Sequence, residues 1–157
     1  MAEIVVTGGS GFVGSHLVER LKAAGHIVFV PRSEEFDLTD SVAAELAIGG
    51  YFDKADIVFH LAATLGGIGY NRAHPGKLLY DNLSMGINVI EACRWRGVKK
   101  VILAASVCAY PKYLPVPFTE SLLWGGYPEE SNAPNRVCQF LDGDCHATAN
   151  VHWLRMV

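Results

Sequence analysis

The sequence predicts an α/β fold built on a doubly wound parallel sheet. Segments with strand character alternate along the chain with segments of helical periodicity, which places helices on both faces of such a sheet. A glycine-rich stretch, residues 7–14 (TGGSGFVG), follows directly on the first apolar run, residues 4–6. The chain has 157 residues, of which 50% are hydrophobic, enough for the core of one domain.

Residues 7–14 have the spacing of a strand–turn–helix unit that holds phosphate groups. Gly8 allows a tight turn, Gly11 removes a side chain where a diphosphate would approach, and Gly14 lets the new helix pack against the strand. The helix would direct its unpaired N–H groups and the positive end of its dipole at the phosphates. A plain turn before a helix uses the same residues, so the neighbouring elements decide between the two interpretations.

The neighbouring elements match a Rossmann-type unit. Val13, Leu17 and Leu21 recur at helical spacing up to a terminating Gly25, and a second apolar run follows over residues 26–30, with the second strand predicted at residues 27–30. This context predicts that the turn binds a dinucleotide. The predicted contacts at the turn are Gly8, Ser10, Gly11, Phe12, Val13 and Gly14.

The second strand ends at Pro31-Arg32-Ser33, and this segment indicates which dinucleotide is bound. NAD-selective domains commonly carry an acidic residue here to hold the ribose hydroxyls. Arg32 instead offers a guanidinium, which binds a 2′-phosphate bidentately, so the sequence favours NADP over NAD. The alternative is a solvated surface arginine.

Residues 36–40 predict a short third strand followed by a capped helix start. Asp37 is placed to meet the adenine edge, and Leu38 beside it completes this part of the predicted cofactor site. A modest helix then covers residues 43–46 and stops at Gly49-Gly50.

Residues 55–63 predict a buried strand with a small-residue end. Leu61, Ala62 and Ala63 leave room there for the pyrophosphate and ribose of the cofactor. His60 is interpreted as a hydrogen-bonded core residue rather than a catalyst.

The next segments lead to the same edge of the sheet. The glycine-rich loop of residues 64–71 is predicted to line the mouth of the site, because ligands bind at the carboxyl ends of parallel strands. A strand over residues 101–105 delivers residues 106–111 to that edge. Between them, a helix from Pro75 to just before Gly97 has a predicted apolar face of Leu79, Leu83, Ile87 and Ile90, with Asn82 and Asn88 lying away from it.

Charge and composition exclude several other classes. The net charge is −3 and no basic run occurs, which argues against a nucleic-acid or acidic-membrane partner. No apolar stretch of membrane-spanning length and no signal peptide are visible, so a cytoplasmic protein is expected. The four cysteines are read as reduced thiols, and no metal is expected. A zinc site at Cys138, Cys145, His146 and His152 is the alternative, but its spacing matches no common pattern.

Five segments together resemble the extended short-chain dehydrogenase/reductase superfamily, and within it most closely the GDP-L-fucose synthase family. They are TGGSGFVG, DIVFHLAA, GGIGYNRAHPGKLLYDNL, NVIEA and SVCAYPK, and the likeness covers residues 3–134. The resemblance implies an NADP-dependent nucleotide-sugar epimerase/reductase that acts on GDP-4-keto-6-deoxy-mannose. Family members commonly form homodimers through helices such as the one over residues 75–96.

The resemblance also implies two catalytic residues. Ser106 matches the serine whose hydroxyl holds the keto oxygen of the substrate, and Cys108 matches the thiol that exchanges a proton beside the ketone. Such a thiol needs a pKa tuned towards neutrality. From the residues alone, Ser106 could equally cap the strand end, and Cys108 could be a small buried hydrophobe.

The family pattern breaks after residue 134. The family places a tyrosine and a lysine at positions 135 and 139, where this chain has Asn135 and Gln139. An asparagine amide cannot supply a phenolic proton, and a glutamine carries no charge to lower a neighbouring pKa. We therefore expect an inactive or impaired enzyme. Residues 135–157 form a divergent tail, for which a shifted reading frame or a truncated gene model is the hypothesis.

The break implies a C-terminally truncated fold. The domain of residues 1–134 would bind NADP, and the portion that binds the sugar nucleotide would be absent. The strand before Ser106 would then be an unprotected edge, which predicts a weakly stable product. Two alternative functions remain: another NAD(P)-dependent nucleotide-sugar epimerase/dehydratase, such as a GDP-mannose epimerase, or a catalytically silent dinucleotide-binding module.

Overall fold

The computed structural model describes residues 1–105, 110–122, 125–126 and the backbone of 151–155. Strands and helices alternate, as the sequence predicts. The elements are β1 (Glu3–Thr7), α1 (Phe12–Ala23), β2 (Ile27–Phe29), α2 (Ser41–Gly49), β3 (Ile57–His60), α3 (Ile68–Ala73), α4 (Pro75–Trp95), β4 (Lys100–Ala105), a 3₁₀ turn (Glu120–Leu122) and β5 (Val151–Arg155).

The described strands form one parallel sheet in the order β2-β1-β3-β4-β5. The chain starts at β1, steps outward to β2, and then crosses back over β1 to β3. Both neighbours are held in register with β1, since Val5 pairs with Phe29 on one side and with Val58 on the other. This reversal of direction creates a crevice at the carboxyl ends of β1 and β3, where open α/β sheets bind their ligands.

The sheet face under α2 and α4 carries the main core. Val5, Val58 and Val101 lie side by side on this face and are each 0% exposed. Helices α2 and α4 pack against each other over it, contributing small and branched apolar side chains. The residues of these two helices that belong to this core are Ala44, Ala47, Ile48, Met85, Val89, Ile90, Ala92 and Cys93.

The opposite face, under α1, is less well covered. Helix α1 packs against β1 and β2, and Ile4 and Val6 beneath it are 1% and 0% exposed. On the same face, Ile57, Phe59 and Ile102 are only half-buried. Gly14 is the only fully buried residue of α1.

The predicted third strand at residues 36–40 is wrong. The backbone there forms a turn, in which the Asp40 N–H donates to the Asp37 carbonyl at 3.0 Å. The Asp37 side chain accepts a hydrogen bond from the Thr39 N–H, so this backbone N–H is not available to pair with a neighbouring strand. The predicted helix cap is confirmed, because the Asp40 carboxylate accepts from the Ala43 N–H at 2.8 Å and α2 begins at Ser41.

The segment before α4 and the phase of α4 also differ from the predictions. Residues 64–71 are not a loop throughout, since α3 begins within them at Ile68. The long helix from Pro75 is confirmed, but Ile87 on the predicted apolar face is 52% exposed. The buried face is rotated by about one residue and consists of Leu78, Asp81, Met85, Gly86, Val89, Ile90, Ala92 and Cys93.

The prediction that β4 is an unprotected edge is wrong. The backbone of Val151–Arg155 pairs with β4 in parallel, from Val101 against Val151 to Ala105 against Arg155. A strand of the divergent tail therefore covers the edge. Asn135 and Gln139 lie outside the described residues, as do Cys138, Cys145 and His146 of the alternative zinc site.

No helix in the part of the chain that the structure describes is long and apolar enough to cross a membrane.

Candidate functional site

The glycine turn after β1 has a backbone that only glycine adopts easily at one position. Gly8 has a φ of +69°, and the turn closes with hydrogen bonds from the Gly9 N–H to Val6 O (3.2 Å) and from the Gly11 N–H to Gly8 O (3.0 Å). A Cβ on Gly8 would lie 2.6 Å from the backbone nitrogen of Ala62. The predicted role of Gly8 in the tight turn is confirmed.

Gly14 allows α1 to pack against this turn. A Cβ on Gly14 would collide with the carbonyl oxygen of Gly8 and would lie 2.6 Å from the Cα of Gly9. Its predicted packing role is therefore confirmed. Gly11 differs, because a Cβ there would meet only the Gly8 oxygen, at 3.3 Å. The space in front of Gly11 is thus open on the side away from the turn.

The start of α1 fits an anion. Gly11 is the N-cap residue, no side chain caps the helix, and the first turn contains no acidic residue. The backbone N–H groups of the first turn and the positive end of the dipole are therefore not neutralised by the helix itself. Phe12 and Val13 at this end are 85% and 41% exposed. Together with the open space at Gly11, this arrangement fits the diphosphate of a dinucleotide.

Two strand ends form the floor of the crevice. The Leu61 N–H donates to Thr7 O at 3.0 Å, and the Thr7 hydroxyl lies 2.7 Å from Nδ1 of His60. Burial lowers the pKa of His60 to about 4, so the ring is neutral at neutral pH. The interpretation of His60 as a hydrogen-bonded core residue is confirmed. Beyond it, Leu61 and Ala62 are half-buried and lie directly beside Gly8, and Ala63 is exposed.

Arg32 lies just beyond the end of β2 on an exposed segment. Its Nε atom is 3.6 Å from Oε2 of Glu34, and the two side chains are 58% and 72% exposed, so this ion pair is weak. The chain leading to Arg32 passes beside the glycine turn, because a Cβ on Gly9 would lie 2.8 Å from Cγ1 of Val30. The guanidinium is therefore available to a ligand.

Asp37 and Leu38 occupy different environments. Oδ1 of the exposed Asp37 accepts from the Thr39 hydroxyl (2.7 Å) and the Thr39 N–H (2.9 Å), and these bonds lower the pKa of Asp37. Leu38 is only 7% exposed, and its side chain packs in the core. A contact from Leu38 to a cofactor would therefore come from its backbone.

Two asparagines of α4 are functional candidates that sequence reasoning missed. Asn82 holds the backbone of Thr64, accepting from its N–H (2.8 Å) and donating to its carbonyl (2.9 Å). Asn88 donates from Nδ2 to the carbonyls of Leu38 (3.1 Å) and Thr39 (3.0 Å). Each therefore fastens a loop that carries predicted cofactor contacts. The available sequence signal was an asparagine on a helix that is expected to be partly buried. A partly buried side-chain amide requires hydrogen-bond partners.

The predicted catalytic residues Ser106 and Cys108 lie outside the described residues. Strand β4 ends at Ala105, immediately before them, and runs parallel to β3. Across the described residues, no group of three or more His, Cys, Asp or Glu could hold a metal ion.

A family model described as "NAD dependent epimerase/dehydratase family" matches residues 4–135, which include the turn, the crevice and α4. The chain belongs to this family. The resemblance predicted over residues 3–134 is thereby confirmed.

Individual members of the epimerase/dehydratase family are similar to this chain over its whole described core. GDP-L-fucose synthase from Escherichia coli is 32% identical over 87% of this chain and 42% of its own length. GDP-mannose 3,5-epimerase from Arabidopsis thaliana is 32% identical over 90% of this chain and 43% of its own. The solved structure of a GDP-L-fucose synthetase from Naegleria fowleri bound to NADP superposes with a TM-score of 0.82 at 26% identity, covering 99% of this chain and 49% of that one. The chain thus spans less than half the length of these relatives.

Proposed function

We propose that this chain binds NADP(H) and represents the cofactor-binding part of a nucleotide-sugar epimerase/reductase of the GDP-L-fucose synthase type. The observation that carries the proposal is the turn at Gly8, which presents an uncapped helix N-terminus to open space at Gly11. Such a terminus stabilises a diphosphate by its N–H groups and its dipole.

Different residues of the crevice would bind different parts of the dinucleotide. The backbone of residues 8–14 would hold the diphosphate, and Leu61, Ala62 and Ala63 would pass beneath the ribose. Arg32 would bind the 2′-phosphate, since its guanidinium is exposed and held only by a weak pair with Glu34. Asp37, whose pKa is lowered by its hydrogen bonds to Thr39, would accept from the adenine or its ribose. When bound, NADPH supplies the hydride for reduction of a keto sugar.

The substrate class follows from the relatives. GDP-linked sugars appear in the names of both similar enzymes and of the similar structure. The substrate proposed here is GDP-4-keto-6-deoxy-mannose, with Ser106 donating to its keto oxygen and Cys108 exchanging a proton beside the ketone. A GDP-mannose epimerase is the alternative within the same family.

A second candidate from a different class is a catalytically silent dinucleotide-binding module. The observation that favours it is Asn135 and Gln139 at the positions of the family tyrosine and lysine. Without a phenol and its neighbouring cation, proton transfer to the keto oxygen lacks its usual donor. The binding half of the site is unaffected by this difference.

We propose further that the protein forms a homodimer through α4. Tyr80 and Ile87 on its outer side are 67% and 52% exposed, and Trp95 at its end is 72% exposed. Light scattering of the wild-type chain and of Ile87→Glu tests this, with a dimer expected only for the wild type.

The cytoplasmic location stays a prediction.

Calorimetric titration with NADPH and NADH, followed by an assay with GDP-4-keto-6-deoxy-mannose, tests the proposed function. We expect NADPH to bind more tightly than NADH. Binding with NADPH oxidation selects the reductase, whereas binding without turnover agrees both with the silent module and with a cofactor-binding part on its own. Absence of binding to either dinucleotide would contradict both.

A further inference from the structure

Residues 37–40 form a tight turn that side-chain hydrogen bonds hold on its solvent side. The hydrogen bond from the Asp40 N–H to Asp37 O places Leu38 and Thr39 at the two central positions. Oδ1 of Asp37 accepts two bonds from Thr39, and the carboxylate of Asp40 caps α2 immediately afterwards. The conformation of this turn therefore sets the direction of the exposed Asp37 carboxylate.

On the side that faces the protein, the side chain of Asn88 holds the same turn. The two carbonyls of the central residues both accept from Nδ2 of Asn88, at 3.1 Å for Leu38 and 3.0 Å for Thr39. The two N–H bonds of the amide thus match two acceptors, and Asn88 itself is half-buried on α4. The Leu38 side chain, 7% exposed, is fixed in the core beside it.

We propose that Asn88 is a positioning residue for the nucleoside end of the bound dinucleotide. It holds the turn at residues 37–40 so that Asp37 faces the ligand, and it acts through the turn without touching the ligand. This inference rests on the proposed function, because it explains how Asp37 is oriented at the nucleoside end of the proposed site.

Asn82 provides a matched control on the same helix. Its amide accepts from the N–H and donates to the carbonyl of Thr64, beyond the end of β3, and its Nδ2 also donates to the Leu78 carbonyl at 2.8 Å. An alanine at either position removes a half-buried amide from α4. The two variants therefore loosen different loops.

The experiment compares Asn88→Ala with Asn82→Ala in the full chain. Adenosine 2′,5′-bisphosphate probes the nucleoside end, and amide hydrogen exchange reports on Thr39 and Asp40. For Asn88→Ala, we expect affinity for this probe to fall about tenfold and exchange at both amides to accelerate by a similar factor, as the loss of two hydrogen bonds predicts. For Asn82→Ala, exchange at both amides should stay within about twofold of the wild type, because Asn82 holds the backbone of Thr64 and not the turn at residues 37–40.

Equal acceleration of exchange at Thr39 in the two variants, or unchanged probe affinity in Asn88→Ala, would overturn the inference. If Asn88→Ala does not fold, Thr39→Ala loosens the same turn from its solvent side and must weaken the probe about threefold, the effect of one hydrogen bond. Unchanged affinity in that variant would also overturn it. If the wild type binds neither NADPH nor the probe, the proposed function fails and the inference falls with it; normal wild-type binding with an unaffected Asn88→Ala removes the inference alone.

Discussion

The two faces of the sheet differ in how much the helices that cover them are buried. On the face under α2 and α4, the strand residues Val5, Val58 and Val101 are fully buried, and α4 buries eight residues. On the face under α1, that helix buries only Gly14. The contrast indicates that the α4 face supplies most of the stability, and under the proposed function α1 serves mainly to present its N-terminus to the ligand.

A pair of leucine truncations tests this division most strongly. Leu103 on β4 is 2% exposed and belongs to the core under α4, whereas Leu21 on α1 is half-buried. We expect Leu103→Ala to lower the free energy of unfolding by about 3 kcal/mol and Leu21→Ala by about 1 kcal/mol, because the loss scales with burial and cavity size. Urea denaturation measures both, and equal losses would break the comparison.

Acid should destabilise the α4 face through His60, which lies on it beside Thr7. Burial lowers the pKa of His60 in the folded chain to about 4 from 6.5, so between these values the unfolded chain binds the extra proton. Stability is therefore lost as the pH falls from about 6.5 to about 4, by up to about 3 kcal/mol. His60→Gln should flatten this part of the pH profile of unfolding. A wild-type profile that matches the variant would refute the assignment.

Gly14→Ala tests the role of α1. The added methyl group would collide with the Gly8 carbonyl, so the helix start must move away from the turn. We expect NADPH affinity to fall at least about a hundredfold, close to 2.7 kcal/mol. Gly76→Ala on α4 is the control, since nothing lies within 4 Å of its added Cβ. Calorimetry should find its affinity unchanged, and an intact site in Gly14→Ala would show that α1 is not held for binding.

Arg32→Asp sharpens the cofactor preference with the smallest expected effect. Replacing the exposed guanidinium by a carboxylate should weaken NADPH by about tenfold and leave NADH nearly unchanged, because only NADPH carries the 2′-phosphate. Competition binding measures both constants. Equal losses for the two cofactors would remove the case for NADP selectivity.

The sequence predicts the glycine turn well because its constraints are local. The positive φ of Gly8 is a property of that residue, and Gly14 contacts residues only five and six positions earlier in the chain. The apolar runs of β1, β3 and β4 are recognised for the same reason. The α4 face was predicted out of phase because small buried residues, Gly86 and Ala92, carry little hydrophobic signal, while Ile87 carries a strong one and is exposed.

Other features depend on partners far away in the chain. Asn88 bonds to carbonyls 49 and 50 residues earlier, which no local pattern reveals. The turn at residues 37–40 competes with a strand through the side chain of Asp37, and the pairing of β5 with β4 joins segments about 50 residues apart. Sequence reasoning therefore predicted the turn at the phosphate end of the proposed site but not the side chain that supports its nucleoside end.

The central claim is that the turn after β1 grips the diphosphate of NADP(H). Amide NMR of the labelled chain during titration with NADPH tests it most directly. The account predicts the largest saturable shifts at the amides of residues 8–14, with smaller ones at Ala62 and Asp37. Saturable binding that leaves the amides of residues 8–14 unshifted would contradict it.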